Sequence, residues 1–514
     1  MKISFKKIAV GLGMTCLLAA PFKTFAFALL GPYEPWMQAT NGVFDPVFDI
    51  GGPMDIDSEY RWNVPVVTYG FDKSFLDYFG TNGVAAVESA IKILNDLPPA
   101  STIVLTNYPF SAQYFNSQAE PLGLVDLKSQ TLSLLLEQMG LAQPSRYIYV
   151  LKQWDISLQV PPNAFSSPPW PDGTIPQFIL MRNFDPQTLE ASVYINETLY
   201  SAYIAIDNNQ NSMVPFTVDQ WASSRFTSVA EFPIAQYDMY TGGGKVYTGL
   251  TYDDVGGLVY LLSTNNINYE TLLPDITGIG INSNSFVNGA WRPGVDKITF
   301  LPQSTGVQPG VFMPMTHQYA DTYFTNGNLV QQQLQRVTFQ PDFLFSARPD
   351  SFRTGTTNWI NNAAKNGNLA GAGPGTIRPP VVVAFQKMGG DFYSSISPPN
   401  YVWSEDSVQD QTSIAHIYGS FDNSTNPPIV YPVLQSGEVS MALRMSLSHS
   451  NYGENFYGFE WSPTSQAGTV YALQTSTNLS TWGTLFAITN NGSVFYYRNV
   501  NANSPSRFYR LLPQ

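Results

Sequence analysis

Hydrophobic and polar positions divide this chain into a first half with three helical stretches and a second half with almost none. Val64 to Phe71 is a run of β-branched and aromatic residues and predicts a strand. After Asn82 and Gly83, the residues Val84, Val87, Ile91 and Leu94 recur at helical spacing, so a helix is expected over 83–95. Pro98 and Pro99 stop it, because proline cannot continue the hydrogen-bond ladder. Residues 102–106 resume as strand. A second helix is expected over about 127–140, with Leu132, Leu135, Leu136 and Met139 on one face and Gly140 as its stop. A third covers 252–263, with Asp253 and Asp254 in the first turn, where carboxylates favour the helix dipole. From about 270 onward short apolar runs alternate with Asn, Gly, Pro and Ser turns, as at 297–301 and 380–385, which predicts β architecture.

Length and composition refine that outline. A chain of 514 residues is too long for one hydrophobic core. The expected division is a signal peptide at 1–28, an extended Gly/Pro/Asp-rich strap at 29–58 and an α+β domain at 59–265. An irregular β-rich domain at 266–400 and a C-terminal β-sandwich of immunoglobulin or fibronectin type at 401–514 complete it. Abundant Tyr, Phe, Pro and Gly with only 12% charged residues suit a strand-rich protein.

The first residues read as an export signal: Lys2, Lys6 and Lys7, the apolar run Ile8–Ala20, then Ala26-Phe27-Ala28 as a cleavage site before Leu29. No later stretch is apolar over the roughly 18 residues of a spanning helix. Cys16 is the only cysteine, so cleavage would leave none for a disulfide, a thiolate metal site or a nucleophile. An exported chain of this kind reads as bacterial. Its net charge of −13, without any Lys/Arg cluster, argues against nucleic-acid binding.

Three segments, in order, resemble the zincin domain of matrixin-like metalloproteases. Trp62–Asp72 with the helix 83–95 is similar to that family's opening strand and helix, Leu132–Leu141 to its active-site helix, and Tyr252–Leu261 to its closing Asp-Asp helix. In this register Gly140 falls on the glycine of H-E-x-x-H-x-x-G-x-x-H. Ser133, Glu137 and Gln143 fall on the three ligands, and Leu134 on the catalytic acid. The resemblance thus implies a zincin-like scaffold whose site is degenerate, since Leu134 takes no proton and the ligand set suits zinc poorly. Tyr471–Trp482 with Arg507–Arg510 is similar to a β-domain that ends many exported verrucomicrobial proteins. Together with Gly31–Trp36, the chain resembles secreted families of that group that have no assigned activity.

The remaining chemistry is sparse. Asp45, Asp49, Asp55, Asp57 and Glu59 lie close in sequence and are the oxygens a calcium site would use, although their spacing fits no defined loop. Residues 242–245 carry the letters of a phosphate loop without its spacing, and there is no G-x-S-x-G elbow. His317, His416 and His449 are far apart. Glu137, Asp253 and Asp254 are the acids a hydrolase reading would use first. Trp170, in the proline-rich stretch 160–173, Trp291 and Trp403 stand in loop-like contexts, where an aromatic ring can stack on a sugar. The expectation is therefore a secreted, non-catalytic protein that binds an extracellular glycan or protein partner or serves in surface assembly, with no cofactor. The alternative is a divergent hydrolase, either a metallopeptidase with unusual ligands or a glycan-active enzyme.

Overall fold

The computed structural model describes residues 25–31, 52–120, 124–153, 178–206, 211–219, 228–231, 244–280, 286–306, 310–347 and 417–431. It also describes short segments at 359–360, 376–377, 379–385, 446–449, 455–459, 470–476, 481–489, 495–498 and 508–513. These residues form a mostly β structure of several separate sheets with few helices. The elements used below are, in chain order, β1 (Phe27–Gly31), β2 (Val66–Phe71), α1 (Lys73–Asn95), α2 (Leu127–Gln138), β3 (Leu141–Ala142), α3 (Tyr252–Leu262) and β4 (Ile267–Thr271). They continue with β5 (Ile276–Gly278), β6 (Gly289–Pro293), β7 (Thr299–Pro302), β8 (Met315–Thr325), β9 (Asn328–Thr338), β10 (Phe343–Ser346) and β11 (Val381–Ala384).

A four-stranded parallel sheet, in the order β7-β2-β10-β11, forms the middle of the core. Its strands are short runs of Val, Phe and Tyr, as expected where both faces are covered. Val67, Phe300, Phe343, Phe345, Val381 and Val383 are all buried. The sheet draws its strands from both sides of position 265. The short strand Ile417–Ser420 likewise pairs in parallel with Leu124–Asp126, and Tyr418 and Tyr431 join the main hydrophobic cluster. Beyond 431 the described strands form two three-stranded antiparallel sheets.

Helix α1 starts ten residues before the expected Gly83. The Asp72 carboxylate accepts from the backbone N–H of Phe75 at 2.8 Å and fixes the start. Gly80, at φ 59°, then interrupts the helical backbone and leaves two joined helices. The run 102–106 is not a strand. It forms two short 3₁₀ turns, Ala100–Thr102 and Leu105–Asn107. The second and third helices lie close to expectation. Asp126 caps α2 through Ser129, while Thr251 and Asp254 close a reciprocal capping box on α3.

Gly140 follows α2 at φ 111°, and a Cβ there would lie 2.0 Å from the carbonyl oxygen of Tyr60. Backbone handedness and close approach together require glycine at this position. Immediately after it, β3 pairs with β1. Strand β1 also bonds Gly52–Pro53 and Asn183–Phe184, so it is an interior strand, with every residue buried. Ala26, Phe27 and Ala28, expected as a cleavage signal, are thus part of the folded core.

Candidate functional site

Helix α2, onto which the metalloprotease resemblance falls, is buried along nearly its whole length by the described residues. Ser133 is fully buried, and Leu134, Glu137 and Gln143 are each less than a tenth exposed. Helix α2 packs against α1 and the turn Val229–Glu231, and its leucines join the main hydrophobic cluster. The Ser133 hydroxyl is buried without a hydrogen-bond partner. These four positions therefore line no cleft described here, whereas a catalytic zinc site keeps an open coordination position. A hollow between α1 and α3 is apolar instead, lined by Leu94, Leu97, Met139, Leu258, Leu262 and Phe300.

The acids of α3 serve the fold. The Asp254 carboxylate accepts from Thr251 N and Oγ1, Ser228 Oγ, Val229 N and Ala230 N, tying the helix start to the turn at 228–231. Asp253 is fully buried and accepts from Asn196 N at 2.6 Å. Burial pushes its carboxyl well above the ordinary range, against the pull of backbone N–H groups from Ala26 and Asn196. The folded state then holds a proton that the unfolded chain releases, so this contribution to stability falls as pH rises from the ordinary carboxylate range. Asp253→Asn is expected to flatten the dependence, raising stability at about pH 8 more than at about pH 5.5. Urea unfolding across that interval checks this, and parallel profiles for the two proteins would refute it.

Of the acids expected for calcium, Asp55, Asp57 and Glu59 are described and form no common cluster, and the Asp57 backbone N–H donates to the Tyr260 hydroxyl. Asp45 and Asp49 lie outside the described residues. Asp55 pairs with Arg182 at 2.6 Å, and Glu59 accepts from the side-chain amides of Asn266 and Asn268 and the hydroxyl of Tyr260. Among the described residues no group of three or more His, Cys, Asp or Glu is placed to hold a metal ion. His317 lies on β8, half-buried opposite Arg336. Trp170 and Trp403 lie outside the described residues.

Trp291 is different. It sits on β6 in a five-stranded antiparallel sheet ordered β4-β6-β8-β9-β5, and it is 53% exposed. The register aligns Tyr269 with Trp291, Trp291 with Phe324, and Phe324 with Leu329. Side chains alternate across a sheet with period two, so these four project from one face in a single row. At about 4.8 Å between strands the row runs roughly 14 Å. Tyr269 and Trp291 meet edge to face, with ring centroids 5.6 Å apart.

The same parity puts Ile267, Pro293, Thr316, Gln318, Ala320, Thr322, Gln331, Gln333, Gln335, Val337 and Thr277 on the outer face. None of them is charged. Glu270, Arg292, Asp321 and Arg336 occupy the opposite face and are buried. There Arg292 binds Asp321, Arg61 binds Glu270 at 2.6 Å, and Arg336 pairs with Asp342. This sheet has reversed the usual arrangement, with paired ions inside and aromatic rings and amides outside.

Sequence reading singled out Trp291 but missed Tyr269, Phe324, Leu329 and the glutamines. The Asn326-Gly327 pair was the available signal. Both residues have positive φ, as a tight hairpin turn requires, and that turn sets the β8–β9 register. Comparison of the chain with protein-family models, curated proteins and solved structures finds no match.

Proposed function

We propose that the protein is a secreted, non-catalytic binding protein that holds a neutral polysaccharide on the sheet face around Trp291. The observation carrying this reading is the uncharged row Tyr269–Trp291–Phe324–Leu329, exposed at Trp291 and Leu329, half-buried at Tyr269 and Phe324, and bordered by glutamine amides. Aromatic rings offer the apolar faces of sugars a large rigid surface at small entropic cost. Each glutamine brings two donors and two acceptor sites for hydroxyl groups. With no ion on the face, no charge has to be desolvated when a neutral ligand settles there. The overall charge of −13 disfavours phosphate polymers and acidic glycans. On this reading the α+β body is a scaffold, and the buried helix α2 supports non-catalysis.

The test is retention of the purified protein on insoluble neutral glucans, mannans and chitin, beside an acidic glycan, at low and high salt. Binding to at least one neutral polymer with little salt dependence is expected. Loss of all binding, or binding confined to the acidic polymer, would reject the reading. Self-association through this face, in place of glycan binding, would reject it too. Stoichiometric zinc with peptidase activity lost in Glu137→Gln would instead favour the hydrolase.

A further inference from the structure

We infer that the export leader is cut N-terminal to Phe25, and that residues 25–31 remain in the mature protein as an interior strand. The inference rests on the secretory reading of residues 1–20. The sequence pattern alone points to Ala26-Phe27-Ala28 and a cut before Leu29. The fold opposes that position in three ways.

The first is packing. Ala26, Phe27, Ala28 and Leu29 are each 0–1% exposed. The Phe27 ring stacks on Tyr260 at 5.6 Å and lies against Phe184, and Phe25 stacks on Tyr252 at 4.2 Å. Gly257 on α3 has no room for a Cβ, because Leu141 and the Phe27 side chain occupy the space. The helix is thus shaped to receive a residue that a cut at 28 would discard.

The second is pairing. Asn183–Phe184 meets β1 only at Phe27 and Ala28, so its register with β1 would be lost entirely. Strand β3 would keep Leu29 against Leu141 and lose Ala28 against Ala142. Asp253, fully buried, would also lose the backbone N–H of Ala26.

The third is charge. Hydrolysis adds one water across the peptide bond, leaving a carboxylate on the leader and a new ammonium on the mature chain. A cut before Leu29 puts that ammonium at a residue that is fully buried in the intact fold, where a charge is costly. A cut after Ala19, among the small residues closing the apolar run and clear of the Ala20–Pro21 bond, puts it before Phe25 and outside β1.

The test uses the full chain, exported from a bacterial host, with N-terminal sequencing and intact mass of the released protein. A mature N-terminus between residues 20 and 25 is expected, and one at Leu29 would overturn the inference. Two chains made without a leader, starting at residue 21 and at residue 29, are compared by thermal unfolding in parallel. The shorter is expected to melt at least about 5 °C lower, or to fail to fold. Equal melting would overturn the inference even if export itself fails, while a chain that stays uncut inside the cell tells against the secretory reading alone.

Discussion

Trp291→Ala should lower affinity for a neutral polysaccharide roughly 10- to 30-fold while leaving thermal stability nearly unchanged. Two physical facts separate these effects. Nucleobases stacked on an exposed aromatic side chain lose about 1–3 kcal/mol on alanine substitution, a sugar face on the indole is taken at the middle of that scale, and each 1.4 kcal/mol is about tenfold in affinity. The indole is 53% exposed and its described ring partner is Tyr269, on the same open face. Surface substitutions of this kind stay within about 0.5 kcal/mol of the parent stability. Tyr269→Ala should reduce binding less, because Tyr269 is half-buried where Trp291 is exposed. Depletion isotherms on the insoluble polymer, with melting curves on the same preparations, measure both quantities. Unaltered retention for both single variants and for the double variant would leave the row without a binding role.

The charge of the face predicts how that binding responds to solution conditions. No Asp, Glu, His, Lys or Arg of the described strands projects from the outer face, and a tyrosine phenol titrates far above neutrality, so affinity should vary little with salt or between about pH 6 and about pH 8. That behaviour would distinguish the sheet from an acidic surface recruiting a cationic partner.

What the sequence made legible follows from how local each signal was. Capping pairs are local, and Asp126 with Ser129 and Thr251 with Asp254 sit where the helices α2 and α3 begin. The Gly140 stop is legible for the same reason. The protease register was read from this local grammar as well, and the positive φ of Gly140 with the Tyr60 carbonyl against it gives a reason for the glycine that needs no metal motif. A helix-ending glycine in a leucine-rich helix gives the same letters as a fragment of the metal motif. The start of α1 was missed because Asp72 caps it while Gly80 breaks the hydrophobic period inside it. The sheet face was harder still. Polar residues stand on both sides of β8 and β9, and the ionic side chains of the sheet are the buried ones, paired with partners up to 209 positions away. Alternation alone cannot show which side faces the core when charge is internal.

Those internal ions set the other large expectation. Arg292→Met should destabilise the protein by about 3–5 kcal/mol, the usual result when one partner of a buried ion pair is removed. The side chains of Arg292 and Asp321 are 2% and 5% exposed. The guanidinium donates to both Asp321 oxygens and to the carbonyls of Glu270, Val287 and Asn288, joining β4, β6, β8 and the loop before β6. Methionine fills similar volume but leaves those acceptors without that donor and Asp321 without its cation. Arg292→Lys should recover little, since a single ammonium cannot span a fork that reaches three strands. Adding Asp321→Leu to Arg292→Met should restore part of the loss, because it removes the orphaned carboxylate. Denaturant unfolding of the four proteins decides the matter, and a loss below about 1 kcal/mol for Arg292→Met would mean the network adds little to stability. Binding should fall with stability in this series, and in Arg292→Lys as well, because Arg292 holds from beneath the strand that presents Trp291 from above.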